Sequence, residues 1–231
     1  MLTLKDQPAV NTRGTLRIVL GDQLSRSLTA LDGLRVSIDG GTTWTAHTSA
    51  STGATPLGSK PFDVAVLGAI EGGHAAILVG TETGLVRVLV NVSTGAHVST
   101  SVPLPGRRIV DVDAVSGESV HRVLAVAQHS TLGVRRGVWR SENAGVTFTR
   151  IEVGAPGADV ALGAIYCADT DARGLFVWTA AGLFVEPSRQ SAFTRIALPI
   201  ELPTSGAIES FMSCTDGELY LGATGGAGRL Q

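Results

Sequence analysis

Two arginine pairs, Arg107-Arg108 and Arg135-Arg136, stand out in a chain of 231 residues with modest charge. A guanidinium is a planar fork of N–H donors. It suits a carboxylate, a phosphate or an acidic protein surface. Directly after the first pair comes "IVDVDAV", in which strand alternation sets Asp111 and Asp113 on one side. Carboxylates beside an apolar core are costly unless they are paired or hydrated. These six residues are the candidate binding patch. The plainer alternative for the arginines is that they are solvated loop residues.

No other group of residues marks a reaction. There is no phosphate loop ending in Gly-Lys-Ser and no His-Glu-x-x-His pair. His47, His74, His97, His121 and His129 are scattered along the chain. His74 and His121 each open a strand, and two histidines alone make a poor metal site. Cys167 and Cys214 are too few for a disulfide scaffold or a four-cysteine zinc site, and they read as small buried hydrophobes. The expectation is no cofactor, no metal and no catalytic residue.

Composition narrows the partners. The formal net charge is −2, so no basic field draws the chain to nucleic acid. No apolar run reaches the ~18 residues of a membrane span. The start, "MLTLKDQPAVNTRG", holds no apolar stretch long enough for a secretory signal, so the chain is expected in the cytoplasm unless a leader was removed. With 44% hydrophobic residues it can build a large core, and its 29 glycines point to many turns.

The elements that must position the patch are strands. Short apolar bursts such as "TLRIVLG" 15–21, "DVAVLGAI" 63–70, "AAILVG" 75–80, "RVLAVAQ" 122–128 and "GLFVWTA" 174–180 are closed by Gly, Asp, Ser or Pro. Several are apolar at successive positions, which predicts burial on both faces.

Repetition organises these strands. "DVAVLGAI" 63–70 recurs as "DVALGAI" 159–165, and "TFTRIEV" 147–153 as "AFTRIAL" 192–198. The octet "SIDGGTTW" 37–44 recurs as "SENAGVTF" 141–148, and in worn form at 91–98 and 186–193. The third position of these copies is Asp39, Ser93, Asn143 and Ser188, a period near 50 residues. About four strands per such unit is the arithmetic of a propeller blade. The predicted fold is therefore an all-β propeller of four to five four-stranded blades. It is one domain over 1–231, with units at 14–50, 61–104, 107–154, 158–199 and 206–224. The end units look partial, which predicts a blade shared by the two ends, a stretch of a longer propeller, or completion by a second chain. A two-layer sandwich is the rival, but it does not need the repeat.

The octet matches Ser-x-Asp-x-Gly-x-Thr-Trp at Ser37, Asp39, Gly41, Thr43 and Trp44. Its best copy keeps Ser141, Gly145 and Thr147, with Asn143 and Phe148 in place of Asp and Trp. In this the chain resembles the Asp-box, or BNR-repeat, β-propellers. That group includes sialidases, xyloglucan-active endoglucanases, sortilin-type receptor domains and photosystem II assembly-factor propellers. The resemblance implies that the motif lies in the hairpin between the third and outermost strands and is structural. Residue chemistry agrees: Asp before glycines locks a turn, and Trp or Phe serves as an apolar plug between sheets.

The sialidase machinery cannot be assigned. The only tyrosines are Tyr166 and Tyr220, and "TRIALP" 194–199 reads as an outer strand. No opposed carboxylate pair is marked for glycoside hydrolysis. In the propeller frame, Arg107-Arg108 enters an innermost strand and Arg135-Arg136 forms a turn on the same face, so four guanidinium groups are expected to cluster there. The expected role is a non-catalytic scaffold or protein-binding module, its partner a protein or its own copy. A carbohydrate-binding or glycoside-hydrolase-like propeller is the alternative.

Overall fold

The structure, a computed structural model, describes residues 2–3, 17–20, 34–39, 42–47, 61–70, 72–116, 121–129, 136–153, 161–168, 173–179, 182–187, 192–197, 211–215, 218–223 and 226–230. Gly41, Arg135 and Ser188 lie outside them.

Each apolar burst pairs with the next through a tight turn, so every sheet is made of consecutive antiparallel strands. Blade 1 is β1 (Leu2–Thr3), β2 (Arg17–Leu20), β3 (Leu34–Ser37) and β4 (Thr45–His47). Blade 2 is β5 (Pro61–Ile70), β6 (His74–Thr81), β7 (Gly84–Asn91) and β8 (His97–Pro105). Blade 3 is β9 (Arg107–Ser116), β10 (His121–His129), β11 (Arg136–Ser141) and β12 (Thr149–Ile151). Blade 4 is β13 (Ala161–Ala168), β14 (Arg173–Thr179), β15 (Gly182–Glu186) and β16 (Thr194–Ile196). Blade 5 is β17 (Phe211–Thr215), β18 (Glu218–Ala223) and β19 (Gly226–Leu230).

The first strands lie side by side in chain order, β5 against β9, β9 against β13 and β13 against β17. This is the inner layer of a β-propeller. Two expectations about the ends change. Blade 1 gains an inner strand at Leu2–Thr3, and blade 5 gains a third strand at Gly226–Leu230. Among the described residues no sheet mixes strands from the two ends, so the shared blade is not observed.

Strand alternation builds the seams. On β6, Ala75, Ile77 and Val79 face blade 1, where they meet Leu34 and Val36, while Ala76 and Leu78 face blade 3. All five are fully buried, as a strand apolar on both faces requires. β10 repeats the pattern. Val123, Ala125 and Ala127 join the blade 2 seam, and Leu124 and Val126 pack on Leu175, Val177 and Phe184 of blade 4.

Polar bonds stitch the same seams. Asp63 on β5 accepts the Val112 amide of β9 at 2.7 Å. Arg87, buried in β7, donates from Nε to the Ala144 carbonyl of blade 3 at 2.7 Å. Arg140 of β11 reaches the nearly buried Glu186 of blade 4 at 2.7 Å and also lies 3.4 Å from Glu142.

The octet is a side-chain-locked turn. Ser37 Oγ donates to Asp39 Oδ1 at 2.8 Å. The Thr43 amide donates to the same oxygen at 2.8 Å, and Thr43 Oγ1 to Oδ2 at 2.6 Å. Held first by the Thr43 hydroxyl, then by its amide and by Ser37, the carboxyl drops to a pKa of about 2 from 3.8. The copy at 141–148 repeats the network. Ser141 Oγ and the Thr147 amide both donate to Asn143 Oδ1, each at 2.9 Å. There Asn143 Nδ2 donates to Thr147 Oγ1, so the amide reverses one proton and keeps the turn.

Two details differ from the sequence reading. At 91–98 the lock is Asn91, whose Oδ1 accepts the Ser93 and Thr94 amides, rather than Ser93. Trp44 is not a plug: 38% of its surface is exposed. Ile38 packs into the blade 1–2 seam instead, and its Cγ2 lies 3.6 Å from where a side chain on Gly95 would begin. Phe148, the equivalent of Trp44, is half-buried against the blade 2–3 core.

Candidate functional site

Blade 3 carries the arginine patch, and strand geometry decides its shape. Gly106, at φ 69°, makes a tight turn between β8 and β9 and donates its amide to the Thr83 carbonyl at 2.8 Å. Pairing of β9 with β10 begins at once, with Arg107 opposite His129 and Arg108 opposite Gln128. The arginine pair is thus in a strand and not in the entering loop. Successive strand residues point to opposite faces, so Arg107 and Arg108 diverge.

Arg107 turns toward the blade 2 seam. Its guanidinium carbon lies 4.5 Å from the centre of the Trp139 ring on β11, and Nη1 donates to the Pro105 carbonyl at 3.3 Å. An arginine over an indole face is held by the ring's negative π-surface. Trp139 is half-buried and packs on the blade 2–3 core. Across from it on β12 stands Arg150. The side chain of Arg150 crosses over Gly137: a Cβ there would meet Arg150 Nε at 3.1 Å and Trp139 Nε1 at 3.7 Å. The bare glycine therefore makes room for the second cation beside the indole. Arg150 is 39% exposed in its side chain and approaches Glu152 at 3.8 Å.

The backbone register lines up Arg108, Gln128 and Arg136 across β9, β10 and β11. Of Gln128 and Arg136 only the backbone positions are described, and Arg135 lies outside the described residues. Asp111 and Asp113 stand opposite Val126 and Leu124 on the innermost strand, both half-buried and both engaged in polar or electrostatic contacts. A β-bulge falls between Asp111 and Ile109, where Val126 and Ala127 pair with them in turn. It keeps Ile109 and Val112 on the blade 2 side while Val110 packs toward blade 4.

The sequence reading missed Trp139, Arg150, Asp63, Arg87 and Glu186. "GVWRS" held a usable signal, an aromatic flanked by cations in a strand, but the second cation is donated by the neighbouring strand. Among the described residues no group of three or more His, Cys, Asp or Glu is placed to hold a metal ion. The arrangement can bind an anionic or π-rich group between two cations.

No protein-family model and no curated protein matches the chain. Solved structures do. An ancestral GH74 enzyme superposes with a TM-score of 0.52 at 14% identity, over 99% of this chain and 33% of that one. YCF48 bound to D1 peptide aligns over 95% of this chain and 77% of that one, at 12% identity and a TM-score of 0.36. BBS1N in complex with ARL6DN aligns over 98% and 94%, at 12% identity and a TM-score of 0.38. The chain spans about a third of the GH74 enzyme's length. The likeness to the GH74 enzyme, at 14% identity, speaks to fold alone, and with the five sheets it makes the chain a β-propeller.

Proposed function

We infer that the chain is a non-catalytic propeller scaffold that binds an acidic protein segment at the rim of the blade 2–3 seam. The observation that carries this reading is Arg107 stacked on Trp139 at 4.5 Å, with Arg150 beside the same indole. Arg107 on β9 and Arg150 on β12 approach the Trp139 indole from opposite edges of the blade 3 sheet, so both guanidinium groups are pre-oriented and little side-chain freedom is lost when a carboxylate docks. The locked turns at 37–44 and 141–148 support their reading as Asp-box hairpins that brace the seams and leave the patch rigid.

The test uses a fluorescent decamer of glutamate as probe, titrated at low and physiological salt. The expected outcome is binding that weakens with salt and falls about tenfold or more in Arg107→Glu and in Arg150→Glu. Binding unchanged in both variants, with the fold intact, refutes the reading.

A further inference from the structure

Outer strands β4, β12 and β16 have three residues each, whereas β8 has nine. β8 is the last strand of its sheet, so beyond its pairing with β7 it presents an edge of backbone N–H and C=O groups. Natural edges are blunted by charge or proline; "HVSTSVPLP" contains no Asp, Glu, Lys or Arg, and its two prolines, Pro103 and Pro105, fall beyond residues 98–102. Four large apolar side chains are exposed among the described residues, and two of them are on this strand: Val98 at 45% and Val102 at 44%.

The centre of β8 reads the same in both directions: Val98, Ser99, Thr100, Ser101, Val102. A two-fold axis at Thr100 would set Val98 of one copy opposite Val102 of the other, Ser99 opposite Ser101, and Thr100 opposite itself. An isologous interface needs this self-complementarity. The absence of charge means that no like charges are brought face to face. Irregularities in the β7 pairing fall at the two ends of the segment: the register passes over Val98 between Ser99 and His97, and over Val102 and Pro103 between Ser101 and Leu104. Between them Ser99, Thr100 and Ser101 pair regularly with Leu89, Val88 and Arg87. The bulges thus take in Val98 and Val102 and leave Ser99, Thr100 and Ser101 as the regular edge at the centre of the palindrome.

We propose that β8 is a homodimer edge, through which two copies of this chain pair antiparallel about Thr100 and join their blade 2 sheets into one. β8 meets the Arg107–Trp139 patch only at Pro105, outside residues 98–102, and the proposal does not depend on that patch.

Sedimentation equilibrium over a wide concentration range tests the proposal. The wild type is expected to show a monomer–dimer equilibrium. The double variant Val98→Lys, Val102→Lys sets like charges opposite each other and should weaken dimerisation at least about tenfold. Both side chains are exposed, so circular dichroism should be unchanged. Hydrogen exchange on the wild type gives a reading independent of any variant: those amides within 98–102 that point away from β7 should be protected at high concentration and lose protection on dilution. A monomer at every concentration overturns the proposal. So does a dimer that ignores the lysine pair, or protection that comes only when a foreign protein is added.

Discussion

Gly145→Ala isolates how much the seam between blades 2 and 3 contributes to stability. Gly145 sits at φ 76° in the locked turn, and a Cβ there would lie 2.5 Å from Leu78 Cδ2. Leu78 is fully buried in the seam core, so its methyl cannot swing aside without opening the packing. Two costs add. The left-handed backbone costs an alanine about 1–2 kcal/mol, and overpacking a filled core costs about 1–3 kcal/mol more. The expected total is about 2–5 kcal/mol. Gly73 supplies the control: its φ is 73°, nearly the same, but nothing lies within 4 Å of its added Cβ. Gly73→Ala should then show the backbone cost alone. Urea unfolding of both variants, read as midpoints at constant m, measures the difference. If the two substitutions cost the same, the turn does not press on blade 2 and the seam argument is wrong.

Four further outcomes follow from the same contacts. Asp39 is held at about 2 against 3.8 when free, so its folded state favours the carboxylate. The stability it adds is present above pH ~4 and lost as pH falls toward 2. Asp39→Asn, which copies Asn143, should keep the turn and remove that part of the acid sensitivity in melts from pH 5 to 2. His47 is buried beside His97, with ring centroids 6.2 Å apart, and burial followed by the His97 charge lowers its pKa below 6.5. Its folded state favours the neutral ring, so stability should fall as pH drops below 6.5, and His47→Leu should flatten that slope. Arg140→Met removes a guanidinium 2.7 Å from a nearly buried Glu186, which should cost about 3 kcal/mol, partly recovered when Glu186→Gln is added. Trp44→Ala should cost under about 1 kcal/mol, whereas Phe148→Ala, packed on the core, should cost about 2 kcal/mol; denaturant midpoints decide both.

Local pattern was readable without coordinates. Strands such as β6 and β10 announce themselves by apolar runs between turn residues, because alternation and turn chemistry depend on near neighbours. The octet revealed its lock for the same reason: Ser37, Asp39 and Thr43 lie within seven residues. What spans blades was hidden. Arg87 meets the carbonyl of Ala144, 57 positions away, and Asp63 meets the amide of Val112, 49 away. No local pattern names such partners.

The chain's own residues thus determined the strands and the turn network, since each is a short-range preference, and the repeat near 50 residues shows because those local patterns recur along the chain. Only the tertiary structure decided which face each residue shows. Extending β9 back to Arg107 sent Arg107 to Trp139 and Arg108 to the opposite side. Ile38 took the seam place expected of Trp44. The physical reason is common to both. A strand has two faces one residue apart, and the packing of neighbouring blades selects between them through contacts made far away in the chain.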